Sequence, residues 1–310
     1  MRTAESAPEN AIVAPVRRAS VTRTRLADYL ELIRPRIAVL ALVTVAVGYS
    51  LGAGDGWRLV PLLHALCGIA LVAAASSTLN QFIERDTDAG MQRTANRPLP
   101  AGRLSPVEAL CFGLVAATLG CLYLALMVNA LTAVLALATC LIYTLAYTPL
   151  KRLTFLCTTI GAIPGALPPV LGWTAAGGQL DSGALALFAV LFLWQFPHFL
   201  AIGWLYHDDY QRAGLRMLPT KKRVRRVTGL LCVGYALVLL PVSLLPSRLA
   251  MAGDTYSLTA IILGVGYLLC AVRFAIRESE QTARELIYSS LLYLPLLLLT
   301  MTWDHFHLLR

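Results

Sequence analysis

Residues 80–103 combine acids and bases at spacings that suit metal-assisted chemistry on a diphosphate. Three carboxylates, Glu84, Asp86 and Asp88, lie among four arginines, Arg85, Arg93, Arg97 and Arg103. Asn80, Glu84 and Asp88 follow one another at intervals of four residues. At about 100° per residue they share one helix face. That face offers an amide oxygen and two carboxylates, the hard donors that Mg²⁺ prefers. Arg93 and Arg97 follow at a distance suited to phosphate oxygens. The same residue types would also fit a salt-bridged loop between two apolar helices.

A second polar centre lies between residues 194 and 219. Trp194, Gln195 and His198 interrupt an apolar stretch, where polar groups are costly and usually face a cavity. Gln195 and His198, three apart, can share a face with Tyr206. His207, Asp208 and Asp209 come next, and the two aspartates could hold a second Mg²⁺ or simply cap and solvate a loop. His198 fits either a haem ligand or a hydrogen-bonded structural histidine. His64 is placed near the far end of its span. His305 and His307 fall in the tail, with no role readable from their surroundings.

Tyr143 and Tyr147 are one helical turn apart, and an electron-rich ring pair can stabilise a carbocation. Tyr147 equally suits an interfacial aromatic belt. Lys151 could contact a phosphate or mark the cytoplasmic side. The stretch from Gly161 to Pro169 is rich in small residues and prolines, which permits close helix approach and a kink.

These groups must be positioned by membrane helices. The chain has 310 residues, 57% hydrophobic and 14% charged, with mean hydropathy +0.67. A soluble domain carries roughly 25% charged residues. The apolar stretches are long enough to cross a bilayer, which takes about 20 residues. Nine spans are expected, near 37–54, 59–83, 105–126, 129–148, 156–176, 184–206, 227–246, 256–275 and 283–302. Residues 1–36 read as a cytoplasmic tail, with a short interfacial helix over 28–36, and residues 303–310 as a tail on the other side. The tail lacks the apolar core of a secretory signal.

Orientation follows from the basic residues. The tail and the loops after spans two, four, six and eight hold 23 of the 26 lysines and arginines, leaving Arg58, Arg248 and Arg310 for the other side. The N-terminus is therefore expected inside and the C-terminus outside. The seven cysteines are scattered through apolar segments with no Cys-x-x-Cys pair, and read as packing residues. No glycine-rich nucleotide loop or nucleic-acid module is present, so the net charge of +9 reads as loop topology.

Five blocks in order carry a family resemblance over nearly the whole chain from about residue 28. They are Asn80-x-x-x-Glu84-x-Asp86-x-Asp88-x-x-Met91-x-Arg93-Thr94-x-x-Arg97-Pro98-Leu99-Pro100; Tyr147-Thr148-Pro149-Leu150-Lys151-Arg152; Gly165 to Pro169 with Gly172 and Trp173; Trp194-Gln195-x-Pro197-His198-Phe199; and Asp209-Tyr210-x-x-Ala213-Gly214-x-x-Met217-Leu218-Pro219. The chain resembles the intramembrane aromatic prenyltransferases, and the last two blocks point to their haem-modifying branch. The resemblance implies an all-α fold of nine transmembrane helices around a central, lipid-open cavity. Farnesyl diphosphate and protohaem IX would be the substrates and haem O the product, with Mg²⁺ as cofactor and a haem A synthase downstream.

By position, the resemblance assigns Asn80, Glu84 and Asp88 to Mg²⁺ and diphosphate. It gives Arg93, Arg97 and Lys151 to phosphate oxygens, and Asp208 and Asp209 to the second acidic site. That second motif usually has two Asp four apart, whereas Ala213 stands four beyond Asp209. Arg216 stands where the haem branch usually has Pro. Trp194, Gln195 and His198 are the candidates for haem contact, Tyr143 and Tyr147 for shielding the allylic cation. A bacterial inner membrane is the expected location, with a mitochondrial one as the alternative. Two other readings suit the residues: a prenyltransferase acting on a quinone-precursor ring, or a membrane transporter of anionic lipid.

Overall fold

The computed structural model describes residues 24–216, 218 and 226–309, and these hold helices and no strand. The expected tail therefore lies mostly outside the described residues, as do Lys221, Lys222, Arg223, Arg225 and Arg310. Helix α1 (Arg25–Ile33) starts at Thr24, whose side chain accepts from the Ala27 amide, and ends at Arg34 in the left-handed region with φ 50°. The interfacial helix is thus shifted N-terminally from the expected 28–36. The residue before a proline avoids the helical region, so the chain turns at Arg34. Pro35 then opens α2 (Pro35–Ala53), where its missing N–H costs nothing.

Next come α3 (Leu59–Ala89), α4 (Pro106–Met127) and α5 (Ala130–Leu141). A π-helical turn over Ile142–Tyr147 joins α5 to α6 (Thr148–Leu153). Helix α4 opens with a capping box between Ser105 and Glu108. Two short helices follow, α7 (Cys157–Ala166) and α8 (Pro168–Ala175), and then α9 (Ser182–Leu205) and α10 (His207–Arg212). The chain ends with α11 (Val227–Val242), α12 (Leu245–Arg248), α13 (Asp254–Ile276) and α14 (Glu280–Leu308).

Eight helical stretches among the described residues are long and apolar enough to cross a membrane. The span expected over 156–176 is present as two half-length pieces, α7 and α8. Pro168 and Pro169 supply no N–H, so the carbonyls of Pro164 and Gly165 lose their i+4 donors and the helix breaks at Leu167. Many lipid-side residues are large and apolar: Leu114, Leu119, Leu122 and Leu126 on α4 are all exposed. Such a surface suits acyl chains and would be untenable in water.

Two packing cores flank the broken helix. One joins Val45 of α2, Ile69 and Val72 of α3, and Ala136 and Cys140 of α5 with Leu171 of α8. The other joins Leu187 and Trp204 of α9 with Phe274 of α13, and Tyr293, Leu297 and Met301 of α14, and takes in Ala166 of α7. Helices α2 and α8 cross backbone to backbone. A Cβ on Gly172 would stand 1.9 Å from the Val45 carbonyl oxygen, and one on Gly48 1.9 Å from that of Pro169.

Two helix ends extend past their expected limits. Helix α3 has 31 residues. At 1.5 Å per residue that is about 46 Å, against a hydrocarbon core of about 30 Å. That surplus is enough for its last turns to carry the acidic face past the apolar layer. Helix α14 runs to Leu308, so residues 303–308 are helix, not tail. Asp304 is buried and accepts from the Tyr256 amide at 2.6 Å, capping the start of α13. His305 lies 2.9 Å from the Met251 carbonyl through Nδ1, and His307 reaches only the Trp303 carbonyl of its own helix. All seven cysteines are free.

Candidate active site

The last three turns of α3 bury Asn80, Glu84 and Asp88 on one face, as the four-residue spacing requires. Each has a partner from another segment. Asn80 Nδ2 donates to Thr148 Oγ1 at 2.9 Å. Lys151 Nζ lies 2.7 Å from Glu84 Oε1. Arg97 Nη1 donates to Asp88 Oδ2 at 2.5 Å. The loop after α3 folds back to make that last contact: Thr94 Oγ1 donates to the Asp88 carbonyl, and the Arg97 amide to the Thr94 carbonyl. Burial lowers the Arg97 guanidinium from its ordinary pKa, as does nearby Arg34, while Asp88 acts in the other direction. Asp86 is exposed and points away, its carboxylate 3.7 Å from half-buried Arg85. Arg103 is held by Asp28 and Glu31 and fastens α1 to the loop.

The facing wall comes from the end of the α5–α6 span. The π-helical turn inserts one residue into the normal repeat, which re-aims everything after it. Tyr143 and Tyr147 have ring centroids 5.3 Å apart, and Lys151 Nζ lies 4.3 Å from the centre of the Tyr147 ring. Arg152 donates to Thr87 Oγ1. A cavity of about 270 Å³ opens between these elements. Glu84, Thr87, Thr148 and Arg152 form its polar wall, and Ile83, Pro149, Leu153 and Leu215 its apolar one.

Gly161 of α7 receives the Tyr147 ring, since a Cβ there would stand 2.5 Å from two ring carbons. Gly161→Ala should therefore turn the Tyr147 ring off Lys151. A loss of about tenfold in turnover is expected, the order of a misplaced positioning contact. Steady-state kinetics would check it, and unchanged turnover would remove Tyr147 from the site.

The third wall is the α9–α10 end. Arg93 Nη2 donates to the Tyr210 hydroxyl at 3.2 Å, and its guanidinium lies 5.4 Å from the Tyr206 ring centre. The Arg216 amide donates to the Lys151 carbonyl at 2.7 Å. The loops after the second, fourth and sixth expected spans therefore meet on one face. Asp208 is exposed, and Asp209 is paired with Arg212 three residues on. Neither forms, with Glu84 and Asp88, a group of three or more acidic, His or Cys ligands among the described residues.

The haem candidates divide. His198 stacks on Trp194, with centroids 5.7 Å apart and planes 16° from parallel. Both lean on Ser290 of α14: Trp194 Nε1 donates to its carbonyl at 3.0 Å, and His198 Nδ1 lies 2.7 Å from its hydroxyl. Ser290 Oγ donates its single hydrogen to the Ile287 carbonyl. It can then only accept from His198, which puts the imidazole proton on Nδ1 and leaves the Nε2 lone pair uncommitted. Gln195 turns elsewhere: it is buried and donates to the Ala162 and Leu191 carbonyls, opposite Gly165. It fastens α9 to α7 and does not share a wall with His198. His64 is paired with the Tyr123 hydroxyl at 2.7 Å, far from these groups in the fold.

Thr148 was not among the sequence candidates, although it lines the cavity and holds Asn80. A short hydroxyl side chain beside a proline at the end of an apolar span was the available signal. The donor set fits Mg²⁺ on a further observation: Asn80 Oδ1 is buried and has no hydrogen-bond partner. A buried acceptor left so is costly, and a hard cation would satisfy it.

Residues 41–307 match the UbiA prenyltransferase family model. The chain is 47% identical over 289 residues to the protoheme IX farnesyltransferase of Koribacter versatilis, covering 90% of this chain and 93% of that one. Among solved structures, a digeranylgeranylglyceryl phosphate synthase superposes with TM-score 0.75 at 18% identity, covering 91% of this chain and 99% of that one. A UbiA homolog from Archaeoglobus fulgidus bound to DMAPP and Mg²⁺ gives TM-score 0.65 at 17% identity, with the same coverage.

Proposed function

The chain belongs to the UbiA prenyltransferase family, and from its likeness to protoheme IX farnesyltransferases we propose that it transfers the farnesyl group of farnesyl diphosphate to a vinyl group of protohaem IX, giving haem O and diphosphate. The observation that carries the site assignment is the pairing of Glu84 with Lys151 and of Asp88 with Arg97 at the inner end of α3. Two acids for a metal and two bases for a phosphate stand within one buried cluster.

Asn80, Glu84 and Asp88 would hold Mg²⁺, which supplies charge neutralisation to the leaving diphosphate. Lys151 and Arg97 would pass from the carboxylates to the phosphate oxygens, with Arg93 and Arg152 at the rim. Developing negative charge then meets preorganised cations, the largest usual source of rate. Asp208 and Asp209 would supply the acids of the opposite rim, next in sequence to Tyr210, which accepts from Arg93. The C1–O bond breaks with its electron pair leaving on the diphosphate. Tyr143 and Tyr147 shield the allylic cation from early capture by water, an attraction worth about 0.5–2 kcal/mol per ring. The vinyl group of haem attacks C1 and forms the new C–C bond. Water captures the resulting cation beside the porphyrin ring and loses a proton, leaving a hydroxyethylfarnesyl side chain.

His198 would present Nε2 to the haem, backed by Trp194 and Ser290. His198→Ala should raise the KM for haem about tenfold, roughly the loss of one good contact, and leave that for farnesyl diphosphate unchanged. Equal KM values for haem in the two proteins would remove this role. The product, soluble only in the bilayer, would pass to a haem A synthase. The basic loops support an N-terminus on the cytoplasmic side of a bacterial inner membrane. Incubating purified protein with haem, farnesyl diphosphate and Mg²⁺ tests the reading. Mass analysis should find a porphyrin enlarged by one farnesyl group and one hydroxyl, and an unchanged porphyrin would overturn it.

A further inference from the structure

We propose that Thr148 is a positioning residue that fixes the rotation of the Asn80 amide, so that its oxygen and not its nitrogen is offered to the metal. This rests on the Mg²⁺-diphosphate reading of the α3 face and deepens it.

The argument is one of hydrogen counting. Thr148 carries one hydroxyl hydrogen and can accept through its lone pairs. Its Oγ1 donates that hydrogen to the Tyr143 carbonyl at 2.8 Å. Towards Asn80, 2.9 Å away, it can then act only as an acceptor. The Asn80 group facing it must be NH₂, and the amide oxygen is turned to the other side. That oxygen is buried and has no hydrogen-bond partner. Were Thr148 free to donate, the amide could reverse and present two hydrogens to a cation.

The π-helical turn makes the arrangement possible. In a regular helix a threonine hydroxyl reaches the carbonyl three or four residues back. Here both the amide and the hydroxyl of Thr148 go to Tyr143, five residues back. The shift leaves Oγ1 on the side facing α3. Three residues on, Lys151 makes the next contact to α3, at Glu84. Thr148 and Lys151 thus set two successive donors of the α3 face, one by orientation and one by charge.

The test measures metal binding, not turnover. Mn²⁺ affinity is read by electron paramagnetic resonance on the detergent-solubilised full chain, with a non-hydrolysable farnesyl diphosphate analogue and no haem. Thr148→Val keeps the shape and removes the hydrogen bonds. It should weaken Mn²⁺ binding about tenfold or more, the usual effect of losing a group that orients a ligand. Thr148→Ser should bind as the wild type does. In an Asn80→Asp background both carboxylate oxygens are equivalent and rotation no longer matters. There Thr148→Val should change Mn²⁺ affinity less than twofold. Should Val at 148 not be tolerated, Thr148→Ala in both backgrounds gives the same comparison. Wild-type affinity in the Thr148→Val protein, or an equal loss in both backgrounds, overturns the proposal and leaves the metal site standing. Absence of Mn²⁺ binding by the wild type with the analogue would overturn the metal site as well.

Discussion

Glu84→Gln should lower turnover by about 10²–10³-fold, the scale of losing one preorganised charge contact in a transition state. The exchange keeps side-chain shape and one oxygen, so Lys151 retains an acceptor at its present 2.7 Å position and the helix ends stay together. Asp88→Asn should cost as much in rate and more in stability. Asp88 is buried and Arg97 is 21% exposed, so the remaining guanidinium is left partly unpaired. Breaking a fully buried pair costs about 3–5 kcal/mol, and the partial exposure of Arg97 puts this case at or below the lower end. Single-turnover rates with purified protein, beside melting curves, check both. Near-normal turnover in either variant would falsify the assignment of the α3 face.

Gly172→Ala should have the largest effect on the fold. Its new methyl would stand 1.9 Å from the Val45 carbonyl oxygen and 2.6 Å from the Tyr49 amide nitrogen. Both are backbone atoms, so no rotamer change relieves the clash and α2 must move off α8. Overpacking of a core typically costs about 1–3 kcal/mol, and a backbone-to-backbone clash belongs at or above the top of that range. The expected result is little folded protein in the membrane fraction by size-exclusion profile. Gly234→Ala, at a glycine with no neighbour within 4 Å, serves as the control and should fold normally. A monodisperse Gly172→Ala protein with wild-type melting would mean that the crossing is looser than drawn.

The α3 face was legible because one helical repeat sets it, and Asn80, Glu84 and Asp88 obey that repeat. The convergence of the loops after α3, α6 and α9 was legible too, because basic residues sort by membrane side. Other features have no periodic signature. The π-helical turn at Ile142–Tyr147 looks like ordinary helix in sequence, so Tyr143 and Tyr147 were visible but the orientation of Thr148 was not. Pro168 and Pro169 announced a kink, and the structure adds that the helical hydrogen bonding lapses there while Leu167 itself keeps helical angles. Gln195 and His198 are three apart, a spacing that permits a shared face without enforcing one. Tertiary partners, Ala162 for one and Ser290 for the other, pull them to different neighbours. Asp304 and His305 read as the start of a tail because polarity was taken for exit from the membrane, when it marked a capped junction with α13.

The length of α3 also bears on how the reaction finishes. On the proposed role of its acids, a helix long enough to lift them past the hydrocarbon layer would set bond breaking at a boundary between two solvents. The inorganic fragment is released where water dilutes it, while the enlarged porphyrin is retained by the lipid phase. Re-encounter of the two becomes rare, and this partition favours the forward direction without a dedicated exit channel for either.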